Sequence, residues 1–518
     1  MTNSASLKPV AQPAAGYNDL KFYFSNLNTM FSVRNMLAVD MMTLMSPKGL
    51  QRRLHDISAI TKRIYAETTT PTVTNLLDQV EAAEQNNPDD WSDWDKANLK
   101  EMRRIHSHFS AVPPDVYLAS VRTINEGRKL HAAALQRGSW KEAQPYIQQT
   151  VDLYRKIAAF KQKEFNAASP YRALLLGYAS DVQTRQMDDI YDALLPKLSQ
   201  LHKQARENNA DEPISGLILR DDNNKRAILS FCQRLLSTMG FDFERGRLLT
   251  SDLTPMTAGN PDDVRVLIRC QSGMNFMDSV SDTLYQGARA LYYQNLPQDW
   301  ATQPVGQDMG VMMLNTTSIL YKNIIGYSQE FFDYIAQDTD LFQKVEVNEG
   351  QKPANLYHST GHIHVSAVRD KCDDFTKIIH DIMRYRIERD ILNENLDVAD
   401  IPARWDADCK ELLGIEPSND QEGALQNPDW FTGRFGFIPT NIISQIMAAS
   451  FYQKAKDDGA NTEDIAKGDM RSVGQWLNKN VHSLGHSKGP FEAAENILGG
   501  ELSIDPLIGY LQHRYVYK

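Results

Sequence analysis

The residues whose types and spacing bear most directly on chemistry lie in one predicted helix, around residues 284–297. Apolar residues recur every three or four positions from Phe276 onward, which is the rhythm of a helix with one buried stripe. Tyr285 and Arg289 are four residues apart and share one face, with Gln286 beside them. Histidine, glutamate and histidine at these three positions would supply two zinc ligands and a general base. This helix presents a phenol, an amide and a guanidinium instead.

Histidines form two further groups that could bind a metal. The denser group is His358, His362 and His364, and in a strand the last two would share a face. No carboxylate or cysteine stands at a persuasive spacing, so we interpret these side chains as exposed or structural. His482 and His486 are four residues apart, which is compatible with chelation, but nearby glycines indicate the end of a helix.

Arginines are candidates for binding the C-terminal carboxylate of a peptide, because a guanidinium can bind a carboxylate through two parallel hydrogen bonds. The candidates of this kind are Arg265, Arg269, Arg369 and Arg384. The alternative is that they form internal ion pairs with Asp263, Asp373 or Glu388. Both interpretations are open at the level of sequence.

The composition limits the class of protein. The chain has 518 residues, of which 42% are hydrophobic and 23% charged, as is usual for a soluble globular protein. Its net charge of −11 argues against general nucleic-acid binding, which needs a basic surface. The four cysteines are widely spaced and are interpreted as buried free thiols in a reducing compartment.

The ends and hydropathy of the chain suggest where it works. No apolar run is long enough to span a membrane, and residues 1–16 lack the apolar core of a secretory signal. We therefore expect a disordered leader over residues 1–16 and a cytoplasmic protein. Export without a signal peptide is compatible with the same sequence.

Helical periodicity dominates the chain and predicts a mainly α fold. The first convincing strand covers residues 263–269, which are rich in β-branched side chains. The helix that carries Tyr285 follows, and then a second helix over about residues 307–325. A β-rich run at residues 361–368 precedes a long helix over residues 372–392. We expect a small sheet that lies beside the central helices and positions their polar faces.

Several ordered segments carry a resemblance to a known family. They are Asp40 with residues 43–47, and residues 254–256, 263–267, 285–289, 314–316, 368–373, 423–430 and 435–440. In that order they resemble the WDxxTxMP, HPF, DxRxT, HExGH, HES, IRxxAD, GxxQDxHW and FGYFPT motifs of the carboxypeptidase Taq family, the M32 zinc metallocarboxypeptidases. The resemblance extends over nearly the whole chain.

The resemblance implies a zinc site whose ligands are absent here. Tyr285, Arg289 and Asn315 stand at the three ligand positions, and Gln286 stands at the general base. A phenol with its ordinary pKa of about 10 is a poor zinc ligand, amide oxygens are weak, and arginine keeps its proton. An amide also cannot accept a proton from water. We therefore expect neither a bound metal nor another cofactor, and no catalytic residue at these four positions.

The fold implied by the resemblance is an elongated, mainly α M32 carboxypeptidase-like domain over residues 17–518, with a deep central groove and a small β-sheet beside it. We predict a catalytically inactive pseudopeptidase, and thus not an enzyme, which binds a peptide or protein C-terminus in that groove. The alternatives are an active carboxypeptidase or hydrolase with an unrecognised site, and a purely structural dimeric scaffold. The candidate peptide-binding residues are Arg265, Arg369, Arg384, Gln426 and Asp429.

The resemblance also bears on partners. Family members are commonly homodimers, so a homodimer is expected, without nucleic-acid or membrane partners. A separate hypothesis is that the Arg289 cation substitutes for zinc and pairs with acidic residues such as Asp373 or Asp374. Its alternative is a partly solvated arginine without a special partner.

Overall fold

The computed structural model describes residues 16–182, 184–208, 222–271, 273–338, 357 and 360–517. The described residues are mainly helical with one small sheet, which confirms the predicted fold class. The chain divides into two compact units, each with its own core. The first unit contains Met1–Ala111, Leu296–Asp308 and Leu484–Lys488, and the second contains Val112–Asn295, Met309–Ser483 and Gly489–Lys518. The assignment of one domain to residues 17–518 stays a prediction, and residues 1–15 of the predicted leader lie outside the described residues.

Four long helices build the first unit. Their bounds are α1 Tyr17–Thr43, α2 Leu50–Thr68, α3 Pro71–Asn86 and α4 Asp93–Ser110. The side chain of Thr70 accepts a hydrogen bond from the backbone of Val73 and so caps α3, whose first residue is a proline. The four helices share a core that includes Tyr17, Phe24 and Met102.

The second unit contains the other α-helices of the described residues. Their bounds are α5 Pro114–Arg137, α6 Trp140–Phe165, α7 Pro170–Leu175, α8 Thr184–Asn208, α9 Asp222–Met239, α10 Phe276–Gln294, α11 Val311–Ile319, α12 Gln329–Ala336, α13 Asp374–Leu392, α14 Ile401–Leu413, α15 Asp429–Thr432, α16 Ile438–Asp457, α17 Arg471–Asn480, α18 Pro490–Leu498 and α19 Asp505–Tyr515. A π-helical turn, Leu320–Ile325, directly continues α11. Most residues of α10, α11 and α16 are buried, so these helices form the centre of the unit.

A three-stranded sheet lies beside α10. Its strands are β1 Gly246–Thr250, β2 Met256–Asn260 and β3 Asp263–Ile268. The order is β1-β3-β2, with β3 parallel to β1 and antiparallel to β2. The strand predicted over residues 263–269 is confirmed as β3. The other two strands were not predicted. The sequence of β2, in particular, lacks the β-branched alternation that marks β3.

The strand expected at residues 361–368 is wrong. These residues form no ladder with any described strand, and they lead into the start of α13. The backbone N–H of His364 donates to the Asp373 carboxylate at 2.8 Å, and the same carboxylate caps α13 by accepting from Thr376 N at 2.9 Å. β-Branched residues favour a strand only where a neighbouring strand can pair with them, and no strand of the described residues pairs with this run.

All four cysteines are buried and free, as predicted. Within the described part of the chain, no helix has the length and apolar character needed to cross a membrane.

Candidate functional site

Helix α10 has a fixed start and a close neighbour. The side chain of Asn275 accepts a hydrogen bond from Met277 N at 3.1 Å, which satisfies one of the free N–H groups of the first turn. Gly287 allows α9 to approach closely, since a Cβ there would lie 2.6 Å from the Leu236 side chain. The position of the polar face of α10 is therefore set by packing on its opposite side.

Three side chains from three helices form a continuous hydrogen-bonded chain, which we call the amide relay. The hydroxyl of Tyr285 on α10 donates to Asn315 Oδ1 on α11 at 2.8 Å. Asn315 Nδ2 in turn donates to Asn441 Oδ1 on α16 at 3.0 Å. Asn315, the central residue of the relay, is only 2% exposed, whereas Tyr285 and Asn441 are half-buried. It joins two of the positions at which the resemblance implies metal ligands.

The other two positions make different contacts. Gln286 Oε1 accepts a hydrogen bond from Thr257 Oγ1 on β2 at 2.9 Å. The guanidinium of Arg289 lies over the Tyr285 ring, 5.6 Å from its centre, as in a cation–π contact. The Gln286 side chain thus attaches α10 to β2, whereas the Arg289 contact lies within α10.

A zinc ion does not fit these four side chains. Zinc sites in proteins are built from imidazole, thiolate and carboxylate groups, and none of the four residues supplies one. The oxygens of Tyr285 and Asn315 satisfy each other, and a guanidinium has no lone pair to donate. No reaction step through zinc at these positions follows from this arrangement.

The hypothesis that Arg289 pairs with Asp373 or Asp374 is wrong. Asp373 caps α13, and Asp374 lies 3.5 Å from the ammonium of Lys322 and 3.3 Å from that of Lys377. Burial opposes ionisation of Asp374, but the two lysines outweigh it and lower its pKa. Among described residues, no carboxylate lies within ion-pair distance of Arg289, which is half-buried on the tyrosine ring.

A pocket of about 480 Å³ opens at the far end of the amide relay. This volume lies within the range of ordinary small-ligand sites. Its walls come from α5, from residues 368–370, from α13 and α14, and from residues 421–441. The lining residues are His131, Leu135, Val368, Arg369, Asp370, Arg384, Trp405, Gln421, Gln426, Asn427, Pro428, Asp429, Arg434, Phe437, Ile438 and Asn441.

Four of the five predicted peptide-binding residues line this pocket. The charged residues among them already form ion pairs within the protein. Arg369 makes two hydrogen bonds to the Asp381 carboxylate, at 2.6 and 2.8 Å. Arg384 binds Asp429 at 2.6 Å and also contacts Asn427. Although burial opposes it, the interaction with Asp381 raises the pKa of Arg369. The internal-ion-pair alternative therefore describes both arginines, with partners that the sequence did not indicate.

The remaining candidates are also engaged. Gln426 accepts from the backbone of Arg369 at 2.8 Å and donates to Ala367 O at 2.8 Å, so it holds the pocket wall together. Arg265 pairs with Asp263 on the same strand, at 3.0 Å, and does not line the pocket. Arg269, the further candidate among the arginines, makes two hydrogen bonds to the Asp282 carboxylate, each 2.9 Å long.

Among the pocket residues that sequence reasoning missed are Arg434, Asn441 and His131. Arg434 is exposed, its guanidinium lies 3.3 Å from the centre of the Phe437 ring, and no carboxylate of the described chain pairs with it. Asn441 ends the amide relay, and His131 comes from α5. Arg434 and Asn441 directly flank the motif-like residues 435–440, so a signal was present in the sequence. His131 lies in ordinary helical periodicity and gave none.

A neutral carboxyl group lies behind the pocket. Glu388 on α13 is fully buried, and its Oε2 accepts from Tyr171 Oη and Gly436 N, both at 3.2 Å. Burial, followed by repulsion from Asp429, raises the pKa of Glu388 to about 8. At pH 7 this side chain is mostly protonated, so it adds little negative charge beside the Arg384–Asp429 pair.

His131 is the titratable base of the pocket. Its Nε2 lies 3.1 Å from Leu425 O, and its ring packs 5.2 Å from that of Phe431. Burial lowers the pKa of His131 below its ordinary value, so the imidazole is neutral at pH 7. A neutral imidazole can accept a proton from water or from a ligand.

The predicted histidine groups do not form metal sites within the described residues. His358 lies outside the described part of the chain. His482 is buried against the ring of Tyr292, with centroids 4.6 Å apart, and burial lowers its pKa to about 3. His486 lies in the first unit, where its Nδ1 is 3.6 Å from the carboxylate of Glu101.

Comparison with known proteins identifies the family. The family model described as "Carboxypeptidase Taq (M32) metallopeptidase" matches residues 19–515. Thermostable carboxypeptidase 1 of Thermus thermophilus is 25% identical over 97% of this chain and 99% of its own length. Carboxypeptidase 1 of Bacillus subtilis is 26% identical over 91% of this chain and 92% of its own length. Metallocarboxypeptidase 1 of Trypanosoma cruzi has a similar solved structure, with a TM-score of 0.89 and 22% identity, covering 96% of this chain and 99% of that one.

The fold and these matches define the class as a helical metallopeptidase-like protein, and the chain belongs to the carboxypeptidase Taq (M32) family. The prediction that it is not an enzyme is contradicted by this finding, because its relatives along nearly the whole chain are named carboxypeptidases. Tyr285, Gln286, Arg289 and Asn315 stand at the positions of one set of zinc ligands and their general base. This does not exclude catalysis by other side chains.

Restoring the family's residues at the four positions tests their correspondence with a metal site. The variant carrying Tyr285→His, Gln286→Glu, Arg289→His and Asn315→Glu is expected to bind one zinc ion, because the side chains at 285 and 315 already meet at 2.8 Å. Metal content after dialysis, measured by mass spectrometry, checks this. The matched control keeps Asn315 and changes the other three, and it should bind zinc more weakly. Equal, negligible zinc in both variants would contradict the correspondence.

Proposed function

We propose that this protein acts on peptides at their carboxyl end and recognises the free C-terminal carboxylate in the pocket lined by Arg434 and Asn441. The family membership and the names of the relatives support a peptide-directed hydrolase. The side chains present favour an active hydrolase whose reaction centre lies in this pocket. Such a centre would not depend on zinc at positions 285, 289 and 315.

The observation that carries this proposal is the free guanidinium of Arg434. Arg369 and Arg384 line the same pocket, but each already has a carboxylate partner within 2.8 Å. Arg434 has no such partner among the described residues, so it is available to a ligand carboxylate. The pocket also lies at the N-terminal end of α16, where the helix dipole favours an anion.

Hydrolysis in this pocket would use Nδ1 of His131 as the proton acceptor, because Nε2 donates its N–H to Leu425 O. Its imidazole is neutral at pH 7 and lines the same pocket as Arg434. A base in this position takes a proton from the attacking water and returns it to the leaving amine. Arg434 would hold the substrate by its terminal carboxylate while this occurs.

The test compares a peptide that has a free carboxylate with its C-terminal amide. We expect calorimetry to give at least about tenfold tighter binding of the free-carboxylate form, and mass spectrometry to detect release of its C-terminal residue. Arg434→Gln should remove the preference, because it deletes the unpaired cation. Arg128→Gln, at an exposed arginine of α5, is the matched control and should leave it intact. Equal binding of the two peptides by the unmodified protein would contradict the proposal.

A further inference from the structure

We infer that the amide relay fixes Asn441 as a hydrogen-bond donor to the ligand carboxylate, so that Asn441 determines specificity and Tyr285 and Asn315 are positioning residues. This inference rests on the proposed function and assigns a role to the two residues that stand at metal-ligand positions in the resemblance. In place of a metal, they hold a ligand-binding amide.

The direction of the hydrogen bonds in the relay carries the argument. The Tyr285 hydroxyl donates to Asn315 Oδ1, which leaves the Nδ2 group of Asn315 to donate. Asn441 Oδ1 accepts that hydrogen bond at 3.0 Å. Because its oxygen is used in this way, the amide of Asn441 has its N–H groups left to offer, and this half-buried side chain lines the pocket. A donor recognises a carboxylate or carbonyl oxygen and disfavours a cation.

The location of Asn441 strengthens this preference. It lies in the first turn of α16, which begins at Ile438 and contains 20 residues. The first N–H groups of a helix have no partner within the helix, and the helix dipole is positive at this end. Arg434 lines the same pocket, so an amide donor and a guanidinium are both available to the two oxygens of one carboxylate.

Burial explains how the relay can keep one orientation. Asn315 is 2% exposed and receives the Tyr285 hydroxyl from one side while it reaches Asn441 on the other. If the Asn315 amide alone turned over, its oxygen would face the Asn441 oxygen, and two acceptors would repel each other. If both amides turned over, that repulsion would disappear, but the Tyr285 hydroxyl proton would lose the acceptor that it has on Asn315. Removal of the hydroxyl relieves this constraint. The orientation of Asn441 therefore depends on a residue that does not line the pocket itself.

The test uses acetyl-Ala-Ala-Ala with a free carboxylate, and its C-terminal amide, as calorimetric probes. Asn441→Asp keeps the acceptor for Asn315 but turns a negative oxygen toward the pocket. We expect it to weaken binding of the free-carboxylate peptide at least about tenfold and to change binding of the amide little. Tyr285→Phe should weaken the same binding about fivefold, by loss of orientation. In the Asn441→Ala background, Tyr285→Phe should have no further effect.

Tyr327→Phe is the matched control, because its hydroxyl also lies near α10, at 3.5 Å from Ser281 Oγ, and is not part of the relay. It should bind both peptides as the unmodified protein does. Additive effects of Tyr285→Phe and Asn441→Ala would indicate a structural role only and would overturn the inference. Unchanged binding by Asn441→Asp would do the same while leaving the proposed function intact. If the unmodified protein does not prefer the free carboxylate, the proposed function fails, and this inference fails with it.

Discussion

At pH 9, the Glu388→Gln variant is expected to be more stable than the unmodified protein by about 5 kcal/mol, and at pH 4.5 the two should be nearly equal. Glu388 is 0% exposed, and its Oε1 has no hydrogen-bond partner among the described residues. Burial and then the neighbouring Asp429 raise its pKa from 4.5 to about 8. A buried carboxylate without a partner at one oxygen is costly, whereas the neutral acid and the amide have the same shape and charge.

The direction of the pH effect follows from proton linkage. In the unfolded chain Glu388 loses its proton near pH 4.5, and in the folded protein it keeps it to about pH 8. Its contribution to stability is therefore fully present below pH 4.5 and declines as the pH rises to about 8, by about 1.4 kcal/mol for each pH unit. Glutamine at this position does not titrate. The gain from the substitution should therefore grow over the same range and level off above pH 8.

Urea unfolding of both proteins at pH 4.5, 7 and 9, followed by circular dichroism, measures this difference. Glu411→Gln is the matched control, because Glu411 is an exposed glutamate on α14 and its substitution should give the same small effect at each pH. A Glu388→Gln effect that is equal at pH 4.5 and pH 9 would contradict a buried, protonated carboxyl group. Peptide binding should also weaken above pH 8 in the unmodified protein, since the new charge lies beside Asp429.

Much of the fold could be predicted because its signals are local or were carried by ordered motifs. The periodicity around Phe276 predicted the helix that became α10, and the β-branched run at residues 263–269 became β3. The run at residues 361–368 has a similar composition but forms no strand, since a strand needs a neighbour and sequence alone does not supply one. Strand β2 illustrates the converse, because pairing with β3 stabilises a segment of weak propensity.

The pocket was only partly predictable, because its chemistry depends on pairing between distant residues. The sequence could select Arg369 and Arg384 as cations that suit a carboxylate, but not that Asp381 and Asp429 already neutralise them. Arg434 has the same chemistry and lacks such a partner among the described residues, and for this reason the proposed function assigns the ligand carboxylate to it. The separation of two residues in the sequence does not tell whether their charges pair in the folded protein.

The enzyme prediction failed for a related reason. It inferred the loss of activity from the loss of one set of ligands, whereas family membership concerns the whole chain. Side chains such as His131, from a helix with no motif, can enter a site only through tertiary packing. The packing of α5 on α15, which brings His131 into the pocket, is unusually close at Gly127. A substitution of this glycine tests its importance.

Gly127→Ala is expected to destabilise the protein by about 3 kcal/mol and to abolish peptide binding in the pocket. Gly127 lies on α5 where this helix crosses α15, and an added Cβ would lie 2.7 Å from the carbonyl carbon of Phe431 and closer still to its oxygen. Backbone atoms cannot move aside as a flexible side chain can, so the two helices must separate. His131, one turn further along α5, would then lose its contacts with Phe431 and Leu425 O.

The same substitution at Gly509 separates this steric effect from helix propensity. Gly509 lies within α19, is exposed, and has no atom within 4 Å of an added Cβ. Alanine there should stabilise the protein by up to about 1 kcal/mol, because it favours a helix more than glycine does. Thermal unfolding and calorimetry with the free-carboxylate peptide measure both variants. A Gly127→Ala protein that is as stable as Gly509→Ala and still binds the peptide would show that close packing of α5 on α15 does not build the pocket wall.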